Sequence, residues 1–209
     1  MATTLSALNT DHAEIARHPL EADRCALVVV DIQEKLLPPI FEKAQLLKNS
    51  QLLIRLASIL KIPALLTTQY AKGLGPTTPE IASLLPETTP IDKQMFSCFG
   101  SEAFCSTLKR MPGNRNTVLL CGMESHICVM QTALGALREG YIVHVASDAV
   151  SSRTEWNWKI GLDRMRAAGA VITLQLTPAS WFAWNMAELD AQAFGGRLGQ
   201  TPGYLLPLD

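Results

Sequence analysis

The sequence has no long apolar run, no cluster of basic residues and no secretory-type start. Because no run reaches about 18 apolar residues, no segment is predicted to cross a membrane. The chain carries 18 basic and 19 acidic residues, for a formal net charge of −1, which argues against nucleic acid or an anionic membrane as the main partner. The start of the chain lacks the basic and apolar blocks of a signal peptide, so a cytoplasmic location is expected.

Metal-binding and cofactor-binding patterns are also missing. The five cysteines form no CxxC pair and the four histidines form no HxxxH or HExxH pattern, so no zinc site is predicted. An odd number of cysteines in a chain of 209 residues gives no disulfide framework. The GxGxxG, GxxxxGK[ST] and GxSxG patterns are absent as well, and we therefore expect no nucleotide cofactor and no serine nucleophile.

The sequence does contain a regular alternation of apolar strands and amphipathic helices. Six segments are predicted to be strands, at 25–31, 62–68, 91–93, 116–122, 141–148 and 170–176. Five segments are predicted to be helices, at 42–60, 101–111, 125–140, 155–169 and 178–194. This rhythm is typical of an α/β fold, here a doubly wound three-layer α/β/α fold with a six-stranded parallel sheet in the order 3-2-1-4-5-6.

The length of the chain suits one domain, which we place at residues 25–194. Residues 1–24 are interpreted as a polar lead-in and residues 195–209 as a C-terminal tail. In doubly wound sheets, ligands bind beyond the carboxyl ends of the strands, where the strand order reverses. The predicted order places this reversal between the first and fourth strands.

Three residues that could take part in catalysis lie at or after the ends of predicted strands. Asp31 ends the first strand, Lys93 ends the third, and Cys128 opens the helix that follows the fourth. Helix N-termini favour thiolates, so we expect a lowered pKa at Cys128 and not at Cys121, which lies within a strand. Each residue also fits a structural role: a helix cap for Asp31, a solvated surface charge for Lys93 and core packing for either cysteine.

Several longer segments resemble the isochorismatase-like cysteine hydrolase superfamily, most closely its isochorismatase-domain-containing proteins. They are VVVDIQEKLLPP, TTQYAKGLGPTTPE, DKQMFS, CGMESHICVMQTALGALREGYIVHVASDAVSSR and RMRAAGAVITL. The resemblance spans about residues 25 to 180. It implies a catalytic triad in which Asp31 deprotonates the nucleophile Cys128, while Lys93 holds Asp31 and stabilises the thiolate.

The resemblance also implies a non-proline cis peptide between Met123 and Glu124. Such a bond would direct the backbone N–H groups of Glu124 and Cys128 toward an oxyanion. Four side chains that follow the triad residues or the second strand are candidates for the substrate pocket: Gln33, Gln69, Tyr70 and Phe96. Loop packing is an equal alternative for the two aromatic residues.

Two departures from related enzymes narrow the predicted activity. Nicotinamidases of this superfamily have an Asp-x-His pattern after the second strand that helps to bind a metal, whereas residues 67–70 here are Thr-Thr-Gln-Tyr. No catalytic metal is therefore expected, and nicotinamidase activity is disfavoured. True isochorismatases do not use the cysteine nucleophile, which is present in this chain.

These observations predict a cysteine-dependent hydrolase that cleaves a C–N bond in a small amide or carbamoyl compound through a thioester. Two alternatives stay open: a non-enzymatic binding or scaffold protein that keeps the fold, and a vinyl-ether hydrolase acting on isochorismate.

A homo-oligomer is expected beside the small-molecule substrate. Relatives commonly associate, and segment 178–189 carries apolar side chains in several directions around a predicted helix, more than one sheet face can cover. These side chains are Trp181, Phe182, Trp184 and Met186. Coverage by the lead-in or the tail is the alternative.

Overall fold

The strands of the computed structural model, which describes residues 20–173, form one parallel sheet of six. They are β1 (Cys25–Val30), β2 (Ala64–Gln69), β3 (Ile91–Lys93), β4 (Thr117–Met123), β5 (Ile142–Ser151) and β6 (Val171–Thr173). The order across the sheet is β3-β2-β1-β4-β5-β6, and every pairing is parallel. The predicted sheet and its strand order are confirmed.

Helices cover both faces of this sheet. They are α1 (Lys43–Ile59), α2 (Ala71–Leu74), α3 (Pro79–Ala82), α4 (Glu102–Lys109), α5 (Met130–Arg138) and α6 (Glu155–Ala167). A π turn at Ser125–Val129 leads into α5. Residues 71–80, for which the sequence predicts neither a strand nor a helix, contain α2 and the start of α3. Residues 174–176 of the last predicted strand, the predicted helix at 178–194 and the tail lie outside the described residues.

Strand β1 shows why its sequence is a continuous apolar run. Leu27 and Val29 point into the cluster beneath α1, whereas Val28 and Val30 point into the cluster beneath α4, α5 and α6. All four side chains are fully buried. A strand covered on both faces has no polar side, so alternation disappears.

Local signals set the ends of the helices. The Ser101 hydroxyl accepts a hydrogen bond from the Phe104 N–H at 3.4 Å, which caps α4 as predicted. Thr154 caps α6 in the same way. Gly140 follows α5 with φ +82°, the left-handed conformation in which helices commonly end. Among residues 20–173, no helix is long and apolar enough to cross a membrane.

Gly122 brings the carboxyl ends of β1 and β4 together. Its φ is +115°, and a Cβ atom built there would lie only 2.0 Å from the Val30 carbonyl oxygen. Only glycine therefore fits at this contact. Beside it, the register between β4 and β5 shifts between Leu120 and Gly122. Strand β5 then continues to Ser151, past its predicted end at residue 148.

Candidate active site where the strand order reverses

A buried ion pair lies between the ends of β1 and β3. The Lys93 Nζ is 2.6 Å from the Asp31 Oδ2, and the two side chains are 1% and 0% exposed. The other carboxylate oxygen, Oδ1, accepts a hydrogen bond from the Thr67 hydroxyl at 2.7 Å. Both oxygens of Asp31 therefore have partners, which is the condition under which a buried ion pair is tolerated. The structure brings together two of the residues that the sequence singled out.

The amides of Gln33 and Gln69 hydrogen-bond to groups around the ion pair. Gln69 Oε1 accepts from the Lys93 Nζ at 2.8 Å, and its Nε2 donates to the Gln94 carbonyl at 2.8 Å. Gln33, which is fully buried, donates to the Gly75 carbonyl at 2.7 Å and accepts from the Gln69 N–H at 2.7 Å. Both amides therefore lie beside Lys93 and the end of β2, and their place in a substrate pocket stays a prediction.

Cys128 lies near the Asp31 carboxylate as well. It follows β4, on the other side of the point where the strand order reverses. Its side chain lies in the π turn, the residue is 7% exposed, and its thiol is close enough to Asp31 and Lys93 for the charges of both to act on it. The turn is held by the Glu124 carbonyl, which accepts from the Ile127 N–H at 3.0 Å and from the Val129 N–H at 3.1 Å. Asp31, Lys93 and Cys128 thus form one contiguous cluster.

The expected lowering of the Cys128 pKa is wrong. Burial raises the pKa of this thiol, and the negative charge and hydrogen bond of Asp31 raise it further, while the positive charge of Lys93 lowers it only in part. Burial also raises the pKa of Cys121, to about 12. Position near a helix start does not outweigh burial beside a carboxylate. These surroundings therefore favour the protonated form of the Cys128 thiol.

Substitution of Asp31 by asparagine is expected to lower the pH at which Cys128 titrates. The change removes the negative charge that favours the protonated thiol, and it leaves the positive charge of Lys93 in place. Thiolate absorbance, taken as the difference from a matched Asp31→Asn/Cys128→Ala variant, measures the midpoint. A midpoint equal to or above that of the parent would show that Asp31 does not control this thiol.

The loop between β4 and the π turn is tied to the end of β5. The Met123–Glu124 peptide is cis, the conformation that the resemblance implies. The Glu124 carboxylate, 7% exposed, is 3.1 Å from the Arg153 Nε, and the Arg153 N–H donates to the same carboxylate at 3.3 Å. The Ser125 and Ser152 hydroxyls lie 2.7 Å apart. The sequence analysis did not predict these contacts, since polar residues after a strand carry no signal of their partners.

Helix α6 supports this loop from outside. A Cβ atom built on Gly161 would lie 2.7 Å from the Ser125 carbonyl carbon and oxygen and 2.8 Å from the His126 nitrogen. The absence of a side chain therefore lets α6 pack directly against the backbone that precedes Cys128.

The two aromatic pocket candidates lie at the surface. Tyr70 is 45% exposed and Phe96 is 57% exposed, next to Met95 at 59%. The Tyr70 N–H donates to the Lys93 carbonyl at 3.0 Å, so this residue directly adjoins the ion pair through its backbone. Because the side chains of Tyr70 and Phe96 are exposed, the surrounding loops do not bury them. Both can contact a bound molecule.

Within residues 20–173, no group of three or more His, Cys, Asp or Glu side chains is arranged to hold a metal ion. Gln69 lies in the stretch where nicotinamidases carry their metal-binding pattern, and its carboxamide contacts Lys93.

The fold and this site define an isochorismatase-type protein. The isochorismatase domain model matches residues 25–175, and the chain belongs to this family, whose members are generally hydrolases. The secreted isochorismatase effector Isc1 of Phytophthora sojae is 41% identical over 150 residues, which cover 70% of this chain and 71% of that protein.

Two solved structures show the same fold over most of the chain. YcaC from Pseudomonas aeruginosa, determined with hexane-2,5-diol and covalent acrylamide, has a TM-score of 0.80 and 26% identity, covering 88% of this chain and 91% of its own. The YcaC gene product from Escherichia coli, described as an octameric hydrolase of unknown specificity, has a TM-score of 0.77 and 27% identity, covering 87% and 91%.

Proposed function

We propose that the protein hydrolyses a C–N bond in a small amide or carbamoyl compound through a thioester on Cys128. The observation that carries this proposal is a buried ion pair in which the Asp31 carboxylate is held 2.6 Å from the Lys93 ammonium, with the Cys128 thiol near enough for both charges to act on it. A thiol, a base and a cation that fixes the base are the parts that acyl transfer through cysteine requires.

In the first half of the reaction, Asp31 takes the thiol proton as the Cys128 sulfur attacks the substrate carbonyl carbon. The backbone N–H groups of Glu124 and Cys128 receive the negative charge that develops on the carbonyl oxygen. When this tetrahedral species collapses, the C–N bond breaks and the protonated Asp31 gives its proton to the leaving nitrogen. An amine or ammonia departs, and the acyl group remains on sulfur as a thioester.

In the second half, Asp31 acts again as a base. It removes a proton from a water molecule, whose oxygen attacks the thioester carbonyl, and the C–S bond then breaks. The proton on Asp31 returns to the Cys128 sulfur, which restores the resting site. Lys93 does not exchange protons in this scheme, and its charge keeps the carboxylate in place through both halves.

Two further observations support a small substrate. A relative of this fold carries covalent acrylamide, itself a small amide. The exposed side chains beside the ion pair, Tyr70, Met95 and Phe96, offer an apolar and aromatic rim to the group attached to the carbonyl. No catalytic cofactor enters this scheme.

Incubation of the protein with a panel of small amides and carbamates is expected to release ammonia or amine and to leave a transient acyl group on Cys128. Mass spectrometry after rapid acid quenching locates the adduct, because a thioester survives acid. Release of amine with no adduct on Cys128 under any quench would argue against covalent catalysis. Turnover of isochorismate alone would favour the vinyl-ether hydrolase, and an absence of turnover with ordinary thiol reactivity would favour the scaffold protein.

We also propose that the protein assembles into a homo-oligomer, as the Escherichia coli relative does. Trp156 and Ile160, 69% and 45% exposed, lie one turn apart on α6, and large exposed apolar side chains are typical of interface cores. The segment on which the sequence prediction of assembly rested lies outside the described residues. Light scattering at micromolar concentration is expected to give a mass of at least two chains, and a stable monomer would contradict this.

A further inference from the structure

Strand β2 contributes two side chains to the ion pair. Thr67 and Gln69 are two residues apart, so they point to the same face of the sheet. The hydroxyl of Thr67 donates to Asp31 Oδ1 at 2.7 Å, and the carboxamide oxygen of Gln69 accepts from the Lys93 Nζ at 2.8 Å. Strand β2 therefore gives a hydrogen-bond donor to the Asp31 carboxylate and an acceptor to the Lys93 ammonium.

Each of these side chains is itself fixed by further contacts. Gln69 Nε2 donates to the Gln94 carbonyl at 2.8 Å, so its carboxamide plane cannot rotate without losing a hydrogen bond. Thr67 is fully buried, and the Cys98 thiol lies 3.9 Å from its hydroxyl oxygen, where it can donate to it. A donor and an acceptor held in this way select one orientation of the Asp31–Lys93 pair.

We propose that Thr67 and Gln69 are positioning residues of the triad, which clamp the carboxylate and the ammonium in the orientation from which Asp31 reaches the Cys128 thiol. The proposal rests on the hydrolase function described above and adds two residues to its machinery. Neither residue contacts the reacting sulfur in this scheme, and both act through the ion pair.

The need for a clamp follows from the side chains it holds. Lys93 has four methylene groups and three N–H donors, so the ion pair alone leaves several orientations open. Asp31 must present an oxygen to the thiol, and a displacement of about 1 Å can cost about 100-fold in rate. A hydroxyl on Oδ1 also favours the charged carboxylate, which is the form that accepts the proton.

Thr67→Val and Thr67→Ser give the sharpest test, because valine keeps the shape and removes the hydroxyl, whereas serine keeps the hydroxyl. The readout is the rate at which iodoacetamide alkylates Cys128 as a function of pH, followed at this one residue by mass spectrometry. We expect Thr67→Val to slow the reaction about 10-fold to 100-fold, because the carboxylate loses the donor that fixes its orientation. Thr67→Ser is expected to restore the rate.

Gln69→Met tests the other half of the clamp. It keeps the length of the side chain and removes the acceptor for Lys93, and we expect slower alkylation of Cys128 by a similar factor. Gln94→Met is the matched control, since the side chain of Gln94 is exposed and only its backbone carbonyl contacts Gln69. Cys98→Ala controls for the loss of the contact between Cys98 and Thr67.

The outcomes separate the clamp from the hydrolase function. Wild-type rates in folded Thr67→Val and Gln69→Met would overturn the clamp, even if Cys128 forms acyl adducts with amides. Equal losses of rate in Thr67→Ser and Thr67→Val, or a loss in Cys98→Ala equal to that in Thr67→Val, would also overturn it. If Cys128 forms no adduct and substrate turns over without it, the proposed function fails, whereas the alkylation profile still reports on the clamp.

Discussion

Replacement of Cys128 by alanine is expected to reduce amide hydrolysis by about 10⁴-fold or more, because loss of a nucleophile removes the covalent route and leaves only binding and electrostatic effects. Alanine keeps the helix-forming backbone of the π turn and removes only the sulfur. Steady-state release of ammonia or amine, measured at saturating substrate, gives the ratio of the two rates.

Cys121→Ala is the matched control. Its thiol is fully buried within β4, on the face of the sheet beneath α1, whereas Cys128 belongs to the cluster on the other face. We expect Cys121→Ala to lower the free energy of unfolding modestly and to leave the rate per folded molecule unchanged. Equal rates in Cys128→Ala and wild type would remove the thioester from the mechanism.

Gly122→Ala is expected to prevent folding or to lower the free energy of unfolding by more than about 4 kcal/mol, a loss seen only with a specific structural cause. The cause here is a methyl group placed 2.0 Å from the Val30 oxygen and 2.8 Å from the Val30 nitrogen and carbonyl carbon. Strands β1 and β4 are central and cannot separate without disturbing the sheet. Urea unfolding followed by circular dichroism measures the loss.

Gly140→Ala separates this steric effect from backbone conformation. Gly140 also has a positive φ, +82°, but nothing lies within 4 Å of the Cβ position. We expect it to cost about 1–2 kcal/mol, the ordinary penalty for a left-handed residue with a side chain. If both variants unfold at the same urea concentration, contact with Val30 is not what requires glycine at position 122.

Much of the fold follows from the sequence because burial on both faces leaves a simple pattern. The run at 25–31 predicts β1 since a central parallel strand is apolar throughout. Strand β5 was predicted to end at Asp148, yet pairing with β4 resumes at Val150 and Ser151 beyond the register shift. Polarity cannot reveal a strand that continues through an irregularity, since the partner strand determines that continuation.

The sequence predicted that Asp31 and Lys93 lie close together, and it did not predict the electrostatics around Cys128. Asp31 and Lys93 follow strand ends, and parallel strands end at one edge of the sheet, so their proximity follows from topology. Whether the pKa of Cys128 is raised or lowered depends on burial and on the charges near the sulfur. The sequence alone shows neither. The contacts of Gln69 were missed for a similar reason: alternation along β2 indicates a face, and only the fold shows that Lys93 lies there.

The π turn before α5 sets the direction of the Cys128 thiol. The packing of α5 on the sheet is set by the regular helix that follows the turn. An α-helix advances about 100° per residue, and a single wide turn adds one residue without lengthening the regular helix that follows. Thr132, Ala133 and Ala136 keep their buried face on the sheet, while Cys128 is rotated independently toward Asp31. Because α6 packs at Gly161 against the backbone of Ser125 and His126, the π turn is held from outside. The direction of the Cys128 thiol therefore depends on this support as well as on the turn itself.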